Sequence, residues 1–289
     1  MQQRAGLLAQ AARLEGMLTP ALLGRSAAMF LANQRLAVIT ARDDTGRLWT
    51  SPLVGTPGFL EAFADILTIN ATIASTDPLC AIAPGGDIGV VIVDFAVGRR
   101  LRINGRLTGS ESGRLDITVE QAYGNCPSYI QKRNLELPSA QPDRALPVRT
   151  HAIGRDHTAL IARADTFFLG TVHPSRGADA SHKGGRPGFV RVDGQQFWWP
   201  DYPGNNLFNS MGNIAENPEA ALLFLDFEAG TVLQLSGSAR LEWTDSGVSG
   251  DDADTGRRIR FTPNHIVAGA APLHARGVTP SRSNSHLRP

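Results

Sequence analysis

Apolar residues along this chain fall mostly in short runs bounded by Gly, Pro, Asp and Asn, the pattern of strands joined by turns. Residues 36–41 (LAVITA) are a β-branched run, Asp43-Asp44-Thr45-Gly46 is a hairpin signal, and 47–54 supply the returning strand. Residues 89–95 (GVVIVDF) are continuously apolar, which predicts a strand buried on both faces. Polar and apolar residues alternate over 99–107, so one face of that strand is expected to be wet. The scheme returns in 166–172, 188–192, 220–227 and 232–243. Helical signals flank these runs: 3–17, 20–34 with Pro20 in its first turn, a stretch capped by Asp156 and running to 164, and 205–216, stopped before Asn217-Pro218. The pattern predicts a mainly β chain with flanking helices, an α+β fold built from barrels or sandwiches.

Two words in the sequence occur twice. Asp94, Phe95, Gly98, Leu101 and Gly105 match Asp226, Phe227, Gly230, Leu233 and Gly237 at identical spacing. Upstream, Gly55, Pro57, Gly58 and Phe59 match Gly185, Pro187, Gly188 and Phe189. Phe59 to Asp94 spans 35 residues and Phe189 to Asp226 spans 37. Matched words in the same order predict two tandem copies of one β-barrel. The expected division is 1–145 for the N-terminal helices and first barrel, with a proline-rich linker near 137–148. The second barrel takes 146–245, and 246–289 forms a polar, partly disordered tail.

Composition narrows the partners. The 28 basic and 27 acidic residues nearly cancel, so no net field draws the chain to nucleic acid or to an anionic membrane. No 18 apolar residues run together, and the N-terminal stretch lacks the apolar centre of a signal peptide. Cys80 and Cys126 have neither metal-ligand nor disulfide-framework spacing, which fits a reducing, cytoplasmic setting. Cys80 reads as core, and Cys126 as a structural thiol with no His near it in sequence. The seven histidines show no paired ligand spacing, so no metal is expected. Serine-hydrolase, dinucleotide and P-loop motifs are absent from the sequence.

The segment Ser181-His182-Lys183-Gly184-Gly185-Arg186-Pro187-Gly188-Phe189 sets cationic side chains beside glycines that admit a ligand to the backbone. Beyond it come Asp201, Asn205, Asn206, Ser210 and Asn213, and a helix starting near Asn205 would offer free N–H groups to a phosphate. A surface turn followed by a capped helix accounts for the same residues. Arg100 and Arg102 share one face of an alternating strand, which either meets an anionic ligand or is solvated. Residues 121–133 either line a substrate site or form a helical connection.

These words in this order, with Gln121-Ala122-Tyr123-Gly124-Asn125-Cys126-Pro127-Ser128-Tyr129-Ile130 between them, resemble the pyridoxamine 5′-phosphate oxidase-like superfamily of FMN-binding split barrels. The likeness is to a subgroup carrying two tandem split β-barrels. The resemblance covers roughly 25–245. It implies non-covalent FMN, an FMN-dependent oxidoreductase of unknown substrate, and a phosphate held by His182, Lys183 and Arg191 with Asn205, Asn206, Ser210 and Asn213. Gly184, Gly185, Pro187, Gly188 and Phe189 would edge the flavin, and Asp201 stands beside them. The first copy lacks these residues and is expected to support the site with Trp49, Ser51, Arg99 and Arg100. Tyr123, Asn125, Tyr129 and Arg133 are the substrate-side candidates. The resemblance also leaves open a flavin- or haem-binding protein without oxidase turnover. Electrons would come from NADH, NADPH or a separate reductase, and a homodimer is compatible with it.

Overall fold

The computed structural model of the chain describes residues 5, 6, 9, 22–111, 113–137, 147–204, 207–247, 253–270 and 273–281. Its first half holds α1 (Arg25–Ala32), β1 (Leu36–Arg42), β2 (Leu48–Val54), β3 (Leu60–Phe63), β4 (Ile66–Ile69), β5 (Asp87–Asp94), β6 (Arg99–Glu111), β7 (Arg114–Gly124) and β8 (Lys132–Glu136). The second half opens with β9 (Val148–Thr150), α2 (Arg155–Arg163), β10 (Thr166–His173), β11 (Gly177–Gly184), β12 (Arg191–Asp193) and β13 (Gln196–Pro200). It closes with α3 (Asn209–Glu216), β14 (Glu219–Asp226), β15 (Thr231–Trp243), β16 (Arg257–Ala270) and β17 (His274–Thr279).

One antiparallel sheet runs β2-β1-β5-β6-β7-β4-β3, and a second runs β11-β10-β14-β15-β16-β13-β12, the same order of strands. The mainly β split-barrel fold read from the sequence is thus met. Strand β8, which follows the first sheet, pairs with β17, which follows the second. The repeated words occupy equivalent places and solve the same backbone problems. Asp94 and Asp226 each end a strand and accept two turn N–H groups, from Ala96 and Val97 and from Glu228 and Ala229. Gly105 and Gly237 sit at bulges where a Cβ would stand 2.0 Å from the Thr118 carbonyl oxygen and 2.1 Å from that of Thr262. No other residue fits there.

Side-chain alternation divides the apolar residues among three cores. Ile39, Val90 and Ile92 point into the first barrel, with Leu67, Ile103 and Ile117. Phe167, Phe197, Trp199, Phe224 and Phe261 fill the second. The opposite faces of the same strands, through Val38, Val91, Phe95, Phe168, Leu223 and Phe227, pack barrel against barrel. The continuous apolar run at 89–95 is therefore explained, because each face of β5 meets a core.

Several expectations are corrected. The polar face of β6 is not wet: Arg102 and Asn104 are buried against the second barrel. The stretch after 245 is no loose tail over its described residues. Strand β16 pairs along β15 inside the second sheet, with Arg258 and Arg260 bound to Glu242. Residues 121–133 hold the end of β7, a loop and the start of β8 rather than a helix. Helix α2 is capped at Gly154, with Asp156 in its first turn where a carboxylate complements the helix dipole. Helix α3 begins at Asn209, and Cys80 is exposed. Most of the helix expected at 3–17, the start of the one at 20–34 and most of the linker lie outside the described residues. Among the described residues no helix is long and apolar enough to cross a membrane.

Arg133 ties the halves together. Its guanidinium donates to both Asp165 oxygens at 2.6 and 2.7 Å and lies 4.7 Å from the Phe227 ring centroid and 5.5 Å from that of Phe95. Arg133→Ala leaves the partly buried Asp165 carboxylate without its partner and is expected to lower stability by about 2 kcal/mol, read by urea denaturation. A loss below about 0.5 kcal/mol, the level of a surface substitution, would show that the clamp carries no strain-free load between barrels.

Candidate functional site

A cleft opens where the two sheets meet. Strands β6 and β7 of the first barrel face β11, β13 and the first turn of α3 across this cleft. Behind its Arg102, Tyr123 and Ser210 wall lies Asp179, only 2% exposed. This carboxylate accepts from Arg102 Nη1 at 3.1 Å, Asn104 Nδ2 at 3.3 Å, Tyr123 OH at 3.3 Å and Ser210 Oγ at 3.0 Å. Asn209 Nδ2 in turn donates to the Tyr123 oxygen at 2.7 Å. Burial and the neighbouring Asp179 push the Tyr123 phenol up to about 12, so it remains a neutral donor.

The cleft carries more positive than negative charge. Asp179 is matched by Arg102, and Asp201 by Arg257 at 2.8 Å. Arg100 and Lys183 have no carboxylate partner within salt-bridge distance among the described residues. Burial, with Arg102 and Arg100 nearby, pulls the Lys183 ammonium down to about 8. Burial and Arg102 bring Arg100 down to about 10. His182 lies well below its ordinary value because burial and then Arg100 and Arg133 oppose a charge on the ring. Aromatic rings line the same space: Tyr129 and Tyr202 stack at 4.9 Å, and Phe189, Trp199 and Phe208 stand around them. Tyr129 and Phe208 both have left-handed backbones, at φ 66° and 57°, a conformation unusual for such residues and concentrated at binding sites.

The structure brings together His182, Lys183, Gly184, Phe189, Asp201 and Ser210 from the second barrel with Arg100, Tyr123, Asn125 and Tyr129 from the first. The remaining candidates lie elsewhere. Gly185 backs onto the Phe189 ring within the turn that also holds Pro187 and Gly188, and Arg191 lies over Trp198 at 5.9 Å. Asn213 faces a separate groove and donates to Thr171 Oγ1. Asn205 and Asn206 lie outside the described residues. Trp49 is sealed in the first core with Nε1 on Asp43, Arg99 covers Phe30, and Arg133 is held by Asp165. Ser51 belongs to the opposite side of the barrel interface.

That opposite side is the equivalent position of the other copy, and it is closed. Strand register places Gln234 where Arg102 stands and Val232 where Arg100 stands. It places Pro52 and Leu53 where His182 and Lys183 stand. Gln234 Nε2 reaches Ser51 Oγ at 2.8 Å and Asp77 Oδ2 at 3.0 Å, while Ser51 Oγ donates to Asp77 Oδ1 at 2.6 Å. Sequence reasoning left Arg102 open and missed Asp179, Asn209, Tyr202 and Arg257. The signal lay in the repeat itself, at positions where the copies differ in charge.

Residues 153–256 match the family model described as pyridoxamine 5′-phosphate oxidase, which bears out the superfamily resemblance over the second barrel. No curated protein sequence matches the chain. Among solved structures, HupZ of Group A Streptococcus is 16% identical, over 41% of this chain and 98% of that one, with a TM-score of 0.32. A protein of the pyridoxinephosphate oxidase family from Clostridium acetobutylicum, related to a general stress protein, is 14% identical over 42% of this chain and 91% of that one, at 0.30. The haem storage protein HutZ from Vibrio cholerae is 12% identical over 42% and 97%, at 0.31.

The lowered Lys183 value fixes a sign. The folded state holds this proton less tightly than the unfolded chain, so stability is depressed below pH 8 and recovers between pH 8 and the ordinary value of 10.5. Lys183→Met is expected to raise the melting temperature of the ligand-free protein at pH 7, with the gain fading towards pH 10.5. No gain at pH 7 would mean that the ammonium is adequately solvated.

Proposed function

We propose that the cleft holds FMN and that the protein is an FMN-dependent oxidoreductase. The observation that carries this reading is the pair of cations, Arg100 and Lys183, set without a carboxylate partner among the described residues into an aromatic-walled cleft. An anionic ligand with a flat conjugated ring answers both features: its charge offsets the two cations, and its ring packs on Tyr129, Tyr202 or Trp199. The family described for residues 153–256 supports a redox reading.

Bound flavin would supply the hydride or electron transfer. The chain's own residues bind and orient. Arg100 and Lys183 hold the anionic group, with Asn205 and Asn206 as the further contributors that the resemblance implies, while the Ser210 hydroxyl is engaged by Asp179. Tyr123, kept protonated, locks Asp179 so that Arg102 stays in place. Phe189, Leu207 and Met211 exclude water from the inner wall. NADH, NADPH or a separate reductase supplies the electrons.

Titration of the purified chain with FMN is expected to give a yellow protein with one FMN per chain, since the equivalent position is filled by Gln234, Ser51 and Asp77. Affinity is expected to fall above pH 8, as Lys183 loses its proton, and to fall below about pH 6, as the phosphate gains one. Failure to take up FMN, or a Soret band on adding haem with no flavin binding, would overturn the proposal. Two FMN per chain would contradict the closed position. Anaerobic reduction of the loaded protein by NADH or NADPH, followed spectrally, distinguishes a direct nicotinamide donor from a separate reductase.

A further inference from the structure

We propose that His182 is a positioning residue, one that aims the Arg100 guanidinium at the anionic group of the ligand without touching the ligand itself. The inference rests on the reading of the cleft as an anion site. Arg100 Nη1 lies 3.1 Å from His182 Nδ1 and 3.3 Å from its backbone oxygen. Arginine offers donors only, so Nδ1 is the bare acceptor and the ring proton resides on Nε2. Nε2 is buried and has no hydrogen-bond partner among the described residues. The ring is 2% exposed, and Phe95 and Phe168 meet it edge-on at 5.9 and 5.8 Å, one from each barrel. One nitrogen is therefore consumed by Arg100 and the other enclosed, which leaves no N–H to offer a ligand.

The equivalent position on the other side of the barrel interface supplies an independent argument. At the equivalent positions the pair is Pro52 and Val232, so the imidazole and the guanidinium are either both present or both absent. A histidine serving only the apolar interface would have no reason to track the arginine. Burial, and then the positive charges of Arg100, Arg133, Lys183 and Arg102, keep the ring neutral, which is the form that accepts from arginine.

The test is a double-mutant cycle read by FMN affinity, with inorganic phosphate as a second probe. Arg100→Ala and His182→Leu are each expected to weaken binding roughly tenfold, and the double variant no more than Arg100→Ala alone. His182→Asn, whose side-chain oxygen can stand in for Nδ1, is expected to recover most of the loss. In the unaltered protein, ¹⁵N NMR is expected to show His182 as the neutral Nε2–H tautomer at pH 7. Additive losses in the cycle, an Nδ1–H tautomer or an imidazolium would overturn the proposal. If FMN does not bind but phosphate affinity follows the cycle, the flavin reading fails and the positioning role stands.

Discussion

The Asp179 carboxylate sits at the join between the two barrels, shut off from solvent and surrounded by donors from both. Arg102, Asn104 and Tyr123 reach it from β6 and β7, and Ser210 reaches it from α3. A charge this deep is tolerated only when it is paired and hydrogen-bonded on all sides. Satisfying it fixes the angle of one barrel on the other. It also turns the polar face of β6 inward, and Arg100, two residues before Arg102 on that face, comes with it. The cleft on that face thereby gains a cation with no carboxylate partner within salt-bridge distance among the described residues.

The same strand order gives two chemically unequal sides. Where one side carries Arg100, Arg102, His182 and Lys183, the other carries Val232, Gln234, Pro52 and Leu53. The apolar and neutral set packs shut, and the Gln234–Ser51–Asp77 hydrogen bonds satisfy what polarity is left. The charged set cannot close, because bringing its cations together without a counter-ion is costly. An open cleft on one side and a sealed interface on the other follow from the substitutions alone, with no change of fold.

This division explains what could be read from the sequence. The turn words DFxxG and GxPGF, and the bulge glycines Gly105 and Gly237, are visible because each answers a local backbone constraint that no other residue meets as well. The continuous apolar run of β5 is legible for a similar reason. The site was legible only where its residues cluster, at 181–189 and 121–129. Alternation along β6 gave the correct strand but not its surroundings, since period two cannot tell water from a neighbouring barrel. Arg257, on β16, was hidden in a stretch whose many arginines resemble a solvated tail, whereas Glu242, Asp193 and Asp201 neutralise them across the sheet. Trp49 and Arg133 looked like site residues by type and proved to serve packing and the interbarrel clamp.

A crystal structure of the chain grown with excess FMN tests the account most directly. It predicts a single flavin per chain between β6–β7 and β11–α3, its anionic group on Arg100 and Lys183, with Gln234 still bonded to Ser51 and Asp77. A flavin at the Gln234 side, two flavins per chain, or a flavin bound away from Arg100 and Lys183 would contradict it.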